Sequence, residues 1–209
     1  MSDKKRDENR AISRRPGRPR SQRVHQAALD AAFDLLAQGG FSGLSIDKVA
    51  AYAGVSKAAI YRRWSSKEAL AAAVLDRVAQ EILPVADAGS TRAELVAMVS
   101  GTVAAFAHTP LGRVMKSLLS EIALSPELTA AVRWGGVRLR REEVERALRR
   151  GVARGEIRAD ADLSVAHELL LGPVYYRLLF GGELDRAFAE QVVDAVLAGY
   201  FVEENLDAG

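Results

Sequence analysis

The twenty residues from Ser45 to Trp64 limit what this chain can fold into more than any other stretch. They read Ser-Ile-Asp-Lys-Val-Ala-Ala-Tyr-Ala-Gly-Val-Ser-Lys-Ala-Ala-Ile-Tyr-Arg-Arg-Trp. Ser45 can cap a short helix whose Ile46, Val49, Ala50 and Ala53 line one side. Gly54 breaks that helix, because glycine takes a positive φ without steric cost. Ser56 can cap a second short helix from Lys57 to Arg63, and Val55 and Ile60 can bury the angle between the two. The result is a helix-turn-helix. In that motif the second helix presents its N-terminal end to a DNA major groove while the first lies across the phosphates. An ordinary helical hairpin inside a core is the competing reading. It gives no reason for Lys57, Arg62, Arg63 and Lys67 to gather around so short a helix.

The charge distribution points the same way. Residues 1–67 hold 14 Lys and Arg against 6 Asp and Glu, a net +8, and the remaining 142 hold 15 against 21, a net −6. A basic third on an acidic remainder implies that one end meets a polyanion, although a basic tail on an ordinary soluble protein carries the same imbalance. The chain has no cysteine, which excludes disulfides and thiolate chemistry and fits a reducing cytoplasm. No apolar run is long enough to span a membrane. The basic N-terminus has no apolar stretch behind it, so it does not read as a secretory signal. The expected location is the cytoplasm.

Beyond the motif, helical periodicity dominates. Val24, Ala27, Ala28, Ala31, Ala32, Leu35 and Leu36 recur on one face of a helix that Gly39-Gly40 should end. Ser65 and Glu68 have capping-box spacing at the start of a fourth helix, with Leu70, Val74, Leu75, Val78 and Ile82 as its apolar stripe. Further stripes run through Leu95 to Phe106 and Val114 to Ile122. A proline-initiated helix follows Ser125, and then comes a charge-rich segment. Helices over about Leu163–Phe180 and Leu184–Val202 close the chain. With no alternating pattern and no repeat, the expected fold is all-α with about nine helices. It divides into a flexible basic arm (1–20), a helix-turn-helix domain (21–67) and a helical regulatory and dimerisation domain (68–209).

Residues 21–70 resemble the TetR family of bacterial transcriptional regulators. The likeness lies in the Ala-Gly-Val-Ser-Lys turn, the Ile-Tyr-Arg-Arg-Trp end and the Ser-Lys-Glu-Ala-Leu start of the fourth helix. The resemblance implies phosphate contacts for Ser45, Ser56, Tyr61 and Lys67, and places Lys57, Ala59 and Arg62 nearest the base edges. The chain departs from the common pattern at Ala58-Ala59 and at Arg62-Arg63-Trp64. Alanines offer bases no hydrogen bond, so specificity should rest on Lys57, Arg62, contact with thymine methyls and DNA shape. The run Arg14-Arg15-Pro16-Gly17-Arg18-Pro19-Arg20 resembles an AT-hook core. There Arg18 and Arg20 can enter a narrow A·T-rich minor groove, whereas an inert solvated tail is the plainer alternative.

Segments 155–163 and 171–182 resemble the C-terminal domain of one subgroup of the same family, which implies a homodimer through the last two helices. The apolar stripe Leu184, Phe188, Val192, Val196, Tyr200 and Phe201 suits that role, and burial against its own chain is the alternative. A regulator of this kind needs a largely apolar pocket for a small effector. Met98, Thr102, Phe106, His108, Met115, Trp134 and Tyr175 are the candidates, each with a plain core role as its alternative.

No cofactor or metal site is expected. The three histidines (His25, His108 and His167) lack metal spacing, and there is no nucleophile elbow or phosphate loop, so the chain does not read as an enzyme. The expected activity is repression from a pseudo-palindromic operator on double-stranded DNA, relieved by the effector. The rival reading is broad architectural DNA binding.

Overall fold

The computed structural model describes residues 20–82, 87–133 and 137–200. These form ten helices, and among the described residues there is no β-strand. They are α1 (Arg20–Gly43), α2 (Ile46–Ala53), α3 (Lys57–Tyr61), α4 (Lys67–Ile82), α5 (Thr91–His108), α6 (Leu111–Ile122), α7 (Pro126–Val132), α8 (Arg138–Arg154), α9 (Ala166–Phe180) and α10 (Arg186–Leu197). Ser45, Ser56, Ser90, Ser125 and Asp185 accept hydrogen bonds from the backbone N–H three residues on, which fixes five of the helix starts. At α4 the cap is Ser66, which accepts from Ala69 N at 3.1 Å, and not the expected Ser65. Gly40, with φ 63°, breaks α1, but the helical path resumes as far as Gly43.

The N-terminal helices wrap one face of α1. Ala28, Ala32 and Leu36 of α1 meet Val49 of α2, Ile60 of α3, Trp64, and Leu70 and Val74 of α4, all of them buried. The same hydrophobic cluster continues through α5, α6 and α8 to α10 without interruption. α4 is the shared member, packing on α1 at one side and on α5, α7 and α8 at the other. A second link joins α1 to α6, where Phe41 N donates to Ser117 Oγ at 2.7 Å.

Glu94, fully buried on α5, is held by Arg150 and Arg154 of α8. Arg154 also pairs with Glu156 at 2.8 Å, and Thr91 N donates to Glu156 at 2.7 Å. A carboxylate taken out of water this completely is tolerable only when paired, so these contacts fix the register of α5 on α8.

One expectation changes at the C-terminus. Phe188, Val192, Val193, Leu197 and Tyr200 are buried, and α10 packs on α5 and α9 of its own chain, so its apolar stripe is not a free surface. The exposed apolar face belongs to α9 and its approach: Val165, Leu169, Tyr176, Leu179 and Phe180 are 43–76% exposed. Phe201 lies outside the described residues.

Candidate nucleic-acid interface and effector cavity

The turn between α2 and α3 forms as the glycine requires. Gly54 sits at φ 63°, ψ 34°, its N–H bonded back to α2, and Val55 N donates to Ala50 O at 3.0 Å. Ser45 and Ser56 each spend one lone pair on their caps, which leaves the hydroxyl proton to donate outward. On α3, Lys57, Ala58 and Tyr61 are exposed, as is Arg62 just beyond its end, while Ala59 and Ile60 face the core. Ala59, expected near the base edges, is 8% exposed and lies at the wall of the groove between α1 and α3. Ala58 takes the outward position beside Lys57.

Lys57 Nζ lies 2.7 Å from Asp47, with both side chains more than half exposed. Such a surface pair contributes about 0–1 kcal/mol, so a phosphate or base edge can displace it. Lys67 opens α4 with its ammonium 4.3 Å from the Phe41 ring centroid. A lysine at the positive end of a helix is disfavoured by the dipole, and an arriving phosphate is attracted to both.

Arg63 plays a different part from the one its neighbours suggest. It donates to Ala59 O at 2.8 Å and to Ser21 Oγ at 2.7 Å, tying α3 to the start of α1. His25 stacks on Trp64 at 5.0 Å, and burial, then Arg63 and Arg77, hold its imidazole below the usual histidine range. Arg18 lies outside the described residues, and Arg20 begins α1. Tyr52 on α2, 57% exposed, adds a hydroxyl to this surface that the motif reading passed over.

The second site is a cavity of about 290 Å³ in the C-terminal half. Leu75, Val78 and Ala79 of α4 form one wall, with Phe106, Leu111, Met115 and Val132 opposite. Arg140, His167, Glu168, Leu171, Gly172 and Tyr175 close it from α8 and α9. Of the expected lining residues, Phe106, Met115 and Tyr175 come together here, and the Phe106 and Tyr175 rings lie 5.7 Å apart. Met98 and Thr102 stand one layer behind: Thr102 Oγ1 donates to Met98 O at 3.1 Å and accepts from Arg140 at 2.7 Å. His108 is exposed at the end of α5 and does not reach the cavity, being two residues, about 200° of helix, beyond the inward Phe106. Trp134 lies outside the described residues.

Polar groups here are few, and burial shifts the pKa of three of them, Arg140, His167 and Tyr175. Burial lowers Arg140, with Tyr175 opposing, and burial raises the Tyr175 hydroxyl. His167 is held down to about 4 by burial, then by Arg140 and Arg141, with Glu168 opposing. It is neutral in the fold at a pH where the unfolded chain would take up a proton. Protonation thus favours unfolding: this histidine costs nothing above pH 6.5, and the cost grows as the pH falls toward 4. Denaturant titrations at stepped pH should show His167→Gln losing less stability over that interval than the unaltered chain, by up to about 3 kcal/mol. Parallel curves would show that His167 does not titrate there.

A helix-turn-helix with an exposed basic reading face, built on the same core as a small-molecule-sized cavity, defines a DNA-binding transcriptional regulator. The family description "Bacterial regulatory proteins, tetR family" matches residues 28–74, and "Tetracyclin repressor-like, C-terminal domain" matches residues 85–196. The chain is 36% identical to the uncharacterized HTH-type transcriptional regulator YdeS of Bacillus subtilis (strain 168), over 85% of this chain and 89% of that protein. It is 33% identical to the DNA-binding transcriptional repressor TetR of Mycobacteroides abscessus, over 82% and 90%. The crystal structure of the TetR family transcription regulator SCO0332 superposes with a TM-score of 0.71 at 33% identity, covering 84% of this chain and 97% of that one. This chain belongs to the TetR family, whose members are operator-binding regulators that act as dimers.

Proposed function

We propose that the protein is a cytoplasmic homodimeric repressor that binds a pseudo-palindromic operator and is released by a small effector in the cavity. The observation that carries this reading is the placement of α4. Its first residue is Lys67, which the family resemblance assigns to phosphate, and Leu75, Val78 and Ala79, two to three turns on, are cavity wall. A helix of 16 residues is about 24 Å long, so a ligand that tilts its far end displaces the reading head. The ligand must bind the released state more tightly, since equal affinity shifts nothing. The exposed apolar face of α9 supports a second copy as its cover, with the outer side of α10 alongside it. The proposed division stays at an arm (1–20), a reading domain (21–67) and a regulatory domain (68–209).

Selection of genomic fragments followed by footprinting tests the reading. A protected inverted repeat is expected, and even protection of all fragments would favour architectural binding. On the selected site, Arg62→Ala should cost about 1–3 kcal/mol at particular base pairs and relax preference there, while Lys67→Ala should weaken all sequences alike. Uniform weakening by Arg62→Ala would demote that side chain to a phosphate contact.

A further inference from the structure

The cavity is apolar except at one corner, where Arg140 and His167 meet. Arg140 is an arginine without a carboxylate: among the described residues it forms no ion pair, and its one hydrogen bond, at 2.7 Å, goes to the neutral Thr102. The arginines beside it on α8 behave otherwise. Arg141 pairs with Glu168 at 2.9 Å, and Arg146, Arg149, Arg150 and Arg154 each pair with an acid. His167, 8% exposed, has a buried Nε2 with no hydrogen-bond partner in the fold. Glu168 is the acid nearest this corner, and its charge is engaged by Arg141 at the exposed rim.

An unpaired guanidinium facing an apolar space is costly unless something anionic completes it. A partnerless imidazole nitrogen next to it offers a second hydrogen bond. We propose that the effector is an apolar organic acid, its carboxylate held by Arg140 and His167 and its hydrocarbon body packed against Phe106, Met115 and Tyr175. The neutral imidazole, protonated on Nε2, would donate to one carboxylate oxygen while the guanidinium donates to the other. At interior packing density about 290 Å³ holds roughly a dozen non-hydrogen atoms, which sets the size of the acid. This inference rests on the cavity being the effector site.

The test compares decanoate with decanamide, which has nearly the same shape and no charge, by isothermal titration calorimetry on the full chain at neutral pH. Decanoate is expected to bind at least about tenfold tighter, the order of one charge-assisted hydrogen bond. That preference should vanish in Arg140→Gln and survive in Arg140→Lys, with helical content checked by circular dichroism. Because the comparison of acid with amide is made first on the unaltered protein, a misfolded variant cannot decide the result. Equal binding of the two compounds would overturn the acid preference while leaving the cavity a ligand site. Binding of neither would overturn both, and operator footprinting without ligand would then show separately whether DNA recognition stands.

Discussion

Gly112→Ala is expected to lower the stability of the folded chain by about 3 kcal/mol, near the upper end of what overpacking costs. Gly112 is buried in the first turn of α6, just past the corner where α5 gives way to α6. A methyl group there would stand 2.2 Å from the carbonyl oxygen of Phe106 and 3.2 Å from its carbonyl carbon. Both are backbone atoms, so no rotamer change relieves the clash and one helix must move. Thr109 makes the corner stiff: its hydroxyl donates to Ala105 O at 2.6 Å and accepts from Leu111 N at 3.1 Å. Phe106 and Leu111 also line the cavity, so a surviving variant should bind any cavity ligand more weakly as well. Thermal unfolding checks the first effect, with a drop on the order of 10 °C for a chain of this size. Gly39→Ala is the matched control. That helical glycine has nothing within 4 Å of an added methyl, and the change should leave stability level or slightly higher. Equal behaviour of the two variants would mean that the α5–α6 corner yields easily.

Removing residues 1–20 should produce the largest effect on DNA binding, a loss on the order of 100-fold at moderate salt. The segment carries eight Lys and Arg against three Asp and Glu. Arg18 and Arg20 from two protomers would supply four cations to the minor groove and its phosphates. Each released counterion contributes about 0.9 to the slope of log affinity against log salt, so the slope should fall by about 3 to 4. Fluorescence anisotropy on the footprinted operator over a salt series measures both quantities. An unchanged slope would show that the arm never touches DNA, whatever happens to the affinity.

The helix-turn-helix was legible in sequence because its determinants are local: a cap at Ser45, a glycine at position 54, a cap at Ser56. Such features work within a few residues and survive without knowledge of the rest of the fold. The low exposure of Ala59 is not legible in the same way, because it depends on how α3 packs against α1. The cavity was half legible. Phe106, Met115 and Tyr175 stand out as large side chains in apolar helices, but Arg140 disappears into the run Arg138–Arg154, which reads as a solvated face. A signal was present all the same. Arg140 is spaced with Val144, Ala147, Leu148 and Gly151 on the inward stripe of α8, and an arginine in line with buried residues is not a surface charge. His167 carries the same mark, in line with Leu170, Leu171, Val174 and Leu178 on α9. The apolar stripe of α10 looks unpaired in sequence, yet most of it is buried against its own chain. Its cover, α5, is nearly a hundred residues earlier, a distance no local pattern reveals.

The unbroken core that α4 and α6 share with α1 bears on how such regulators diversify and can be rebuilt. A reading head cut after residue 67 would leave Ala28, Ala32 and Leu36 without Leu70 and Val74, and Phe41 N without its serine. The N-terminal part is therefore not a portable module. A chimera that exchanges DNA specificity has to keep the seam intact, either by carrying α4 and the α1-facing side of α6 with it or by altering only the outward side chains of α3. The second route changes the address that the protein reads and leaves untouched the joint through which it is told to let go.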